Sequence, residues 1–208
     1  VDRRKKNKLY IDVLKDYSIA AIQSKCPSLF YPGGTRSRSG KLESKLKKGL
    51  LGTGITAWQD SLIENNPIEV LIVPVTLSYS MTLEAETLIQ DSLAENEKMR
   101  YIISDDEFSE ARTVALYARK ILNLDASVYV RFGEPMDVIG NPVDKHGKSL
   151  DPNGNVVDRR GYITDRQGNV IADSQRNKVY TKMLSEQILD AYRRDNIALS
   201  THITGFCC

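Results

Sequence analysis

Ile68-Glu69-Val70-Leu71-Ile72-Val73-Pro74-Val75-Thr76 carries the densest β-branched run of this chain. A nearly continuous apolar stretch of that length predicts a strand buried on both faces, as in a parallel or mixed sheet covered by helices. Pro74 belongs at the end of such a ladder, where a missing N–H is tolerated. Outward toward the C-terminus, residues 107–122 read as a helix with Phe108, Ala111, Ala115, Ala118 and Leu122 on one stripe. A second strand over 127–132 is ended by Gly133 and Pro135. A final helix over 174–194 presents Tyr180, Leu184, Ile188 and Ala191. Toward the N-terminus, a helix over 55–63 follows the breaks at Gly49, Gly52 and Gly54. Residues 28–31 form a short strand. The helix over 9–24, with Tyr10, Leu14, Tyr17 and Ala21 as its apolar face, is ended by Pro27.

These elements predict an α/β fold: a layered mixed sheet flanked by helices, incomplete at the N-terminus, with a small β-hairpin insertion. The insertion is expected over residues 143–172, between a domain portion at 1–142 and a closing helix and tail at 173–208. It holds four copies of D-x-x-G at a spacing of seven, opening at Asp144, Asp151, Asp158 and Asp165. Asp opening a turn and Gly closing it is ordinary turn chemistry, so a surface meander is expected. The copies lack the dense acidic ligands of a calcium loop, and no metal site is expected there.

The chain has 208 residues, 41% of them hydrophobic, enough for a sizeable core. No run of eighteen apolar residues occurs, so no helix is expected to span a bilayer. The sequence opens on Val1 and charged residues without a signal peptide, as in a chain processed, trimmed or read from a partial gene. Cys26, Cys207 and Cys208 fit neither a disulfide framework nor a metal site, which points to a reducing compartment. Cys26 is read as core packing. Charge is divided unevenly: residues 1–48 hold thirteen Lys or Arg against four Asp or Glu, and the rest is net acidic. A basic first third suggests a phosphate-bearing partner or an anionic membrane surface. Nucleic acid is disfavoured, since Tyr10, Tyr17, Phe30 and Tyr31 fall on one helix face and one strand rather than on a stacking platform.

The chemistry concentrates in Pro32-Gly33-Gly34-Thr35-Arg36-Ser37-Arg38-Ser39-Gly40-Lys41. Gly33 and Gly34 let the backbone approach a ligand. Thr35, Ser37 and Ser39 offer hydroxyls, and Arg36 and Arg38 offer planar forks for phosphate. The spacing fits neither a Walker A loop nor a dinucleotide fingerprint.

With Phe30 and Tyr31 before it, this segment resembles the third conserved block of glycerol-3-phosphate acyltransferases and their lysophosphatidate relatives, written F-P-E-G-T-R-S, with an R-S-R-x-G-K extension. Val70 to Val75 resembles the fourth block, and Val1-Asp2-Arg3-Arg4 the tail of the second. The likeness covers residues 1–135 in order. It implies that Arg3 and Arg36 bind the phosphate of the acyl acceptor, with Arg4 and Arg38 as neighbours and Ser37 beside them. Gly34 and Thr35 would shape the loop, and Pro74 and Val75 the acyl-donor side. The implied reaction is acyl transfer from acyl-CoA or acyl carrier protein to the sn-1 hydroxyl of glycerol 3-phosphate, giving lysophosphatidate at the cytoplasmic side of a membrane, peripherally bound. No cofactor is implied.

Two departures stand out. Gly33 occupies the place of the block's glutamate. The family's H-x4-D block, whose histidine serves as general base, is absent before the second block. His146 to Asp151 matches H-x4-D literally, but both residues lie in the seven-residue turn repeat, and the match is discounted. The chain alone is therefore expected to be inactive. The competing expectation is a non-catalytic phosphate or anionic-lipid binding module, or a degenerate enzyme.

Overall fold

The computed structural model describes residues 7–34, 42–80 and 127–207. The helix expected over 107–122 lies outside them. The fold is α/β, combining helices with a small, open, two-stranded antiparallel sheet. Its elements are α1 (Lys8–Gln23), α2 (Lys48–Ile63), β1 (Val75–Tyr79), β2 (Val128–Phe132), a short 3-10 helix (Arg159–Tyr162), α3 (Ser174–Asp195) and α4 (Ser200–Cys207). They group into two compact units. Among the described residues one draws on 7–34, 43–74 and 132–194, and the other on 42, 75–80, 127–131 and 195–207.

In the first unit α1 starts at Asn7, whose side chain accepts from Leu9 N at 2.9 Å and so satisfies one orphan donor of the first turn. It ends at Ser24, and Lys25 turns the chain away with a left-handed φ of 57°. Its inward face differs from the expected stripe. Ile19 and Ile22 pack on the core, while Tyr17 is 73% exposed. Ser18 Oγ meets Thr53 Oγ1 of α2 at 2.9 Å.

Helix α2 begins at Lys48, seven residues before the expected start, and runs through all three glycines. Tertiary contact outweighs their poor helix propensity. At Gly52 a Cβ would lie 3.3 Å from Thr181 Oγ1 of α3, so the missing side chain lets the two helices close up. Below it Ile55, Ala57 and Trp58 join Ile68, Val70, Val138, Ile139 and Ile163 in one apolar cluster. A second cluster holds Leu46, Leu51, Met136, Leu184, Ile188 and Ala191. Leu184, Ile188 and Ala191 are the face expected of α3, repeated at helical spacing. Tyr180 sits at that face's edge, its hydroxyl donating to Tyr162 O at 3.0 Å.

The run that suggested a two-sided buried strand is one-sided. Ile68 and Val70 are buried while Leu71 and Val73 are about half exposed. Only Ile72 pairs there, exchanging both backbone hydrogen bonds with Met136. The named strand begins after Pro74, whose carbonyl accepts from Gly133 N at 2.8 Å. Residues 28–31 adopt no strand among the described residues.

The D-x-x-G stretch forms the expected antiparallel turns, with bridges Val143–Ser149, Leu150–Val156 and Thr164–Val170. In each of these copies the Asp carboxylate accepts from the amides two and four residues on: His146 and Lys148, Asn153 and Asn155, Gln167 and Asn169. Gly147, Gly154 and Gly168 take φ between 78° and 85°, which only glycine adopts at no steric cost. The structure adds an earlier copy, Asp137 to Gly140, spanned by the Met136–Pro142 bridge. Asp137 is fully buried. The stretch is also not purely superficial: Ile163 is fully buried in the first cluster. The third copy departs from the pattern and becomes the 3-10 helix capped by Asp158.

In the second unit β1 and β2 pair, with Ser80 N donating to Ser127 O at 2.9 Å. Thr76 Oγ1 donates to Asp195 O at 3.2 Å, and Arg131 lies 3.7 Å from the Asp195 carboxylate.

Candidate phosphate-binding site

The glycine pair Gly33-Gly34 sits in a turn closed by Gly34 N donating to Tyr31 O at 3.1 Å. Lys47 N donates to Pro32 O at 2.8 Å, tying that turn to the residue that caps α2. Gly34 has φ +79°, a left-handed conformation that a side chain would strain. The turn is anchored on both sides, because Leu46 is buried in the second cluster and Phe30 packs against it.

Two charged side chains lie over the glycines. A Cβ at Gly33 would overlap the Glu43 carboxyl group. One at Gly34 would meet Lys47 Cδ at 2.5 Å and Nζ at 2.6 Å. On the buried side, the Tyr192 phenol is pushed above its ordinary pKa, first by burial and then by the negative charge of Glu43. Neither Glu43 nor Lys47 stood out in the sequence. Their spacing just ahead of α2 was the available signal, and it gains meaning only once the chain folds back onto Pro32.

Of the residues expected to bind the acceptor, Gly34 is in this turn. Arg3, Arg4, Thr35, Arg36, Ser37 and Arg38 lie outside the described residues. Pro74 is buried just before β1, and Val75 is the half-buried first residue of that strand. His146 is exposed, and its backbone N donates to Asp144. The Asp151 carboxylate is occupied by its own turn, where the amide of Asn155 above all holds its pKa below the ordinary range. No hydrogen bond or ion pair joins the His146 and Asp151 side chains. His202 brings a ring nitrogen to Tyr79 O at 2.8 Å and accepts from Leu199 N at 3.3 Å, with no carboxylate partner among the described residues. Cys26 is exposed rather than packed in the core.

Two further features were not evident beforehand. A groove of about 580 Å³ lies beside α1 and α2, lined by Ile22, Cys26, Phe30, Leu51, Ile68 and Val70 among others. In the third repeat copy Arg159 is buried and pairs with the Glu69 carboxylate, its guanidinium 5.0 Å from the centroid of the Trp58 ring. That is cation–π geometry. Among the described residues no cluster of His, Cys, Asp and Glu could hold a metal ion, and no helix is long and apolar enough to cross a membrane.

No family model matches this chain, and no solved structure matches it. Among curated proteins it is similar to a glycerol-3-phosphate acyltransferase from Alteromonas mediterranea, 29% identical over 130 residues. The match covers 62% of this chain and 14% of that protein. This distant likeness supports a lipid-acyltransferase-like ancestry at the level of family.

Proposed function

We propose that this chain is part of a glycerolipid acyltransferase that transfers an acyl group from acyl-CoA or acyl carrier protein to the sn-1 hydroxyl of glycerol 3-phosphate. In this reading Arg36 and Arg38, with Arg3, hold the acceptor phosphate beside Gly34, Thr35 and Ser37, and Pro74 and Val75 shape the donor side. The observation that carries it is the anchored Pro32–Gly34 turn, with its left-handed Gly34, leading directly into the R-S-R-S-G-K segment. The distant likeness to a glycerol-3-phosphate acyltransferase agrees with it. Membrane contact in this reading is peripheral.

The chain alone is expected to lack turnover, because among the described residues no hydrogen bond or ion pair joins either histidine ring to a carboxylate that would hold it in a base-competent tautomer. The same observation favours a second reading, a phosphate or anionic-lipid binding module without catalysis. The test is acyl transfer by the purified 208-residue protein from palmitoyl-CoA to glycerol 3-phosphate, followed by thiol release, with glycerol 3-phosphate binding measured in parallel for Arg36→Ala. Arginine-dependent binding without turnover supports a phosphate site in a chain that lacks its base. Turnover abolished by His146→Ala would restore the discounted dyad. Binding indifferent to Arg36→Ala would refute the proposed site.

A further inference from the structure

The glycine pair leaves a gap at the backbone, and the structure fills it with two side chains of opposite charge from one short segment. Lys47 brings its ammonium over Gly34, and Glu43 brings its carboxyl group over Gly33. Both come from a segment held at two points. Leu46 between them is buried in the second apolar cluster, and Lys47 N is bonded to Pro32 O. The Lys47 side chain makes no capping bond to its own helix and no ion pair with Glu43. Among the described residues no hydrogen bond or ion pair takes up its three donors, which are left for an anion arriving at the turn.

We propose that Lys47 is a phosphate-binding residue of the Pro32–Gly34 turn and that Glu43 is its positioning residue, seated in the space a side chain at position 33 would need. The inference rests on the phosphate-site reading above and extends it to residues outside the R-S-R segment. The ligand class is a phosphomonoester. A compact ammonium on a flexible stem serves a phosphate dianion as a point charge, without the bidentate geometry a carboxylate demands of arginine. Glu43 acts through the turn: it fills the gap at Gly33, so the backbone over which Lys47 lies is fixed before the ligand arrives.

Titration calorimetry of the intact chain with glycerol 3-phosphate, inorganic phosphate and glycerol tests the inference. Lys47→Met is expected to weaken glycerol 3-phosphate and inorganic phosphate about 10-fold or more, the loss of one charge-assisted contact. Lys48→Met, one residue away and of equal charge, is expected to change either by less than about 2-fold, as screened surface charges do. Glu43→Gln is expected to weaken phosphate binding several-fold. Gly33→Ala should do the same by expelling the Glu43 carboxyl group, and the double variant should be no weaker than either single one. Circular dichroism reports whether each variant is folded. Tyr192 labelled with 13C gives a readout free of ligand: Glu43→Gln and Gly33→Ala should each lower the phenol pKa. Equal losses in Lys47→Met and Lys48→Met would overturn the role of Lys47. Additive effects of Gly33→Ala and Glu43→Gln, or an unmoved Tyr192, would overturn the seat of Glu43. Binding lost in Arg36→Ala but retained in Lys47→Met leaves the phosphate site standing and refutes this inference. A folded wild type that binds neither phosphate compound refutes both.

Discussion

Replacing Asp137 by alanine gives the sharpest test of how the repeat is held. Asp137 is fully buried and accepts five hydrogen bonds. Oδ1 takes the amides of Ile139 at 2.8 Å, Gly140 at 2.9 Å and Asn141 at 2.9 Å. Oδ2 takes Asn141 Nδ2 at 2.9 Å and the Ser149 hydroxyl at 2.7 Å. Hydrogen bonds to charged groups contribute about 1.5–3 kcal/mol each, but bonds that share one carboxylate do not add. Donors left buried without a partner bring the cost to about 3–5 kcal/mol, a large share of a stability of roughly 5–15 kcal/mol. For a chain of this length about 2–4 °C accompany each kcal/mol, so the melting temperature should fall by about 6–20 °C. The internal control is Asp151→Ala, which removes the shared bonds to the amides two and four residues on, and to the Asn side chain, where water can replace them. Thermal and urea melts followed by circular dichroism read both variants. Equal losses for Asp137→Ala and Asp151→Ala would refute the claim that burial separates the two copies.

Leu184→Ala, which empties a 1%-exposed position in the second cluster, should cost about 2–5 kcal/mol in the same melts. Gly140→Ala should destabilise far more than Gly147→Ala. Both are left-handed, but at Gly140 a Cβ would also stand 3.2 Å from the Leu184 backbone, whereas Gly147 faces open space. Acid should loosen the exposed turns selectively. The pKa values of Asp144, Asp151 and Asp165 are held down chiefly by the amides of Lys148, Asn155 and Asn169. A carboxylate with a lowered folded pKa stabilises above its unfolded value of about 3.9 and loses that contribution as pH falls through the folded value. Amide exchange at Lys148, Asn155 and Asn169 should therefore quicken only below about pH 4. Loosening near pH 6 would contradict this.

The α/β character and the inner face of α3 were legible because Leu184, Ile188 and Ala191 recur at a period the helix itself imposes. The turns at Asp144, Asp151 and Asp165 were equally legible, being built from local bonds alone. What resisted reading depended on distant partners. Gly52 looks like a helix breaker until Thr181 of α3 is seen against it. Leu71 and Val73 are apolar yet half exposed, so the run around them read as buried on both sides. Tyr17 fits the period of α1 but points away from the core. Asp137 matches the repeat, but Val138 and Ile139 make the inside of its turn apolar where the later copies are polar. At the candidate site the glycine turn could be picked out, whereas Glu43 and Lys47 could not, since nothing local marks the return of the chain to Pro32.

The seven-residue repeat carries a parity rule. The D-x-x-G turns at Asp137, Asp144, Asp151 and Asp165, unlike the copy at Asp158, each send the chain back antiparallel to its approach, as their bridges show. Gaining or losing a single such turn would therefore point the following segment the opposite way and carry α3 off its seat. Gaining or losing two would restore the heading and only lengthen or shorten the pleat. Length variation in this stretch is thus tolerable in steps of fourteen residues and ruinous in steps of seven.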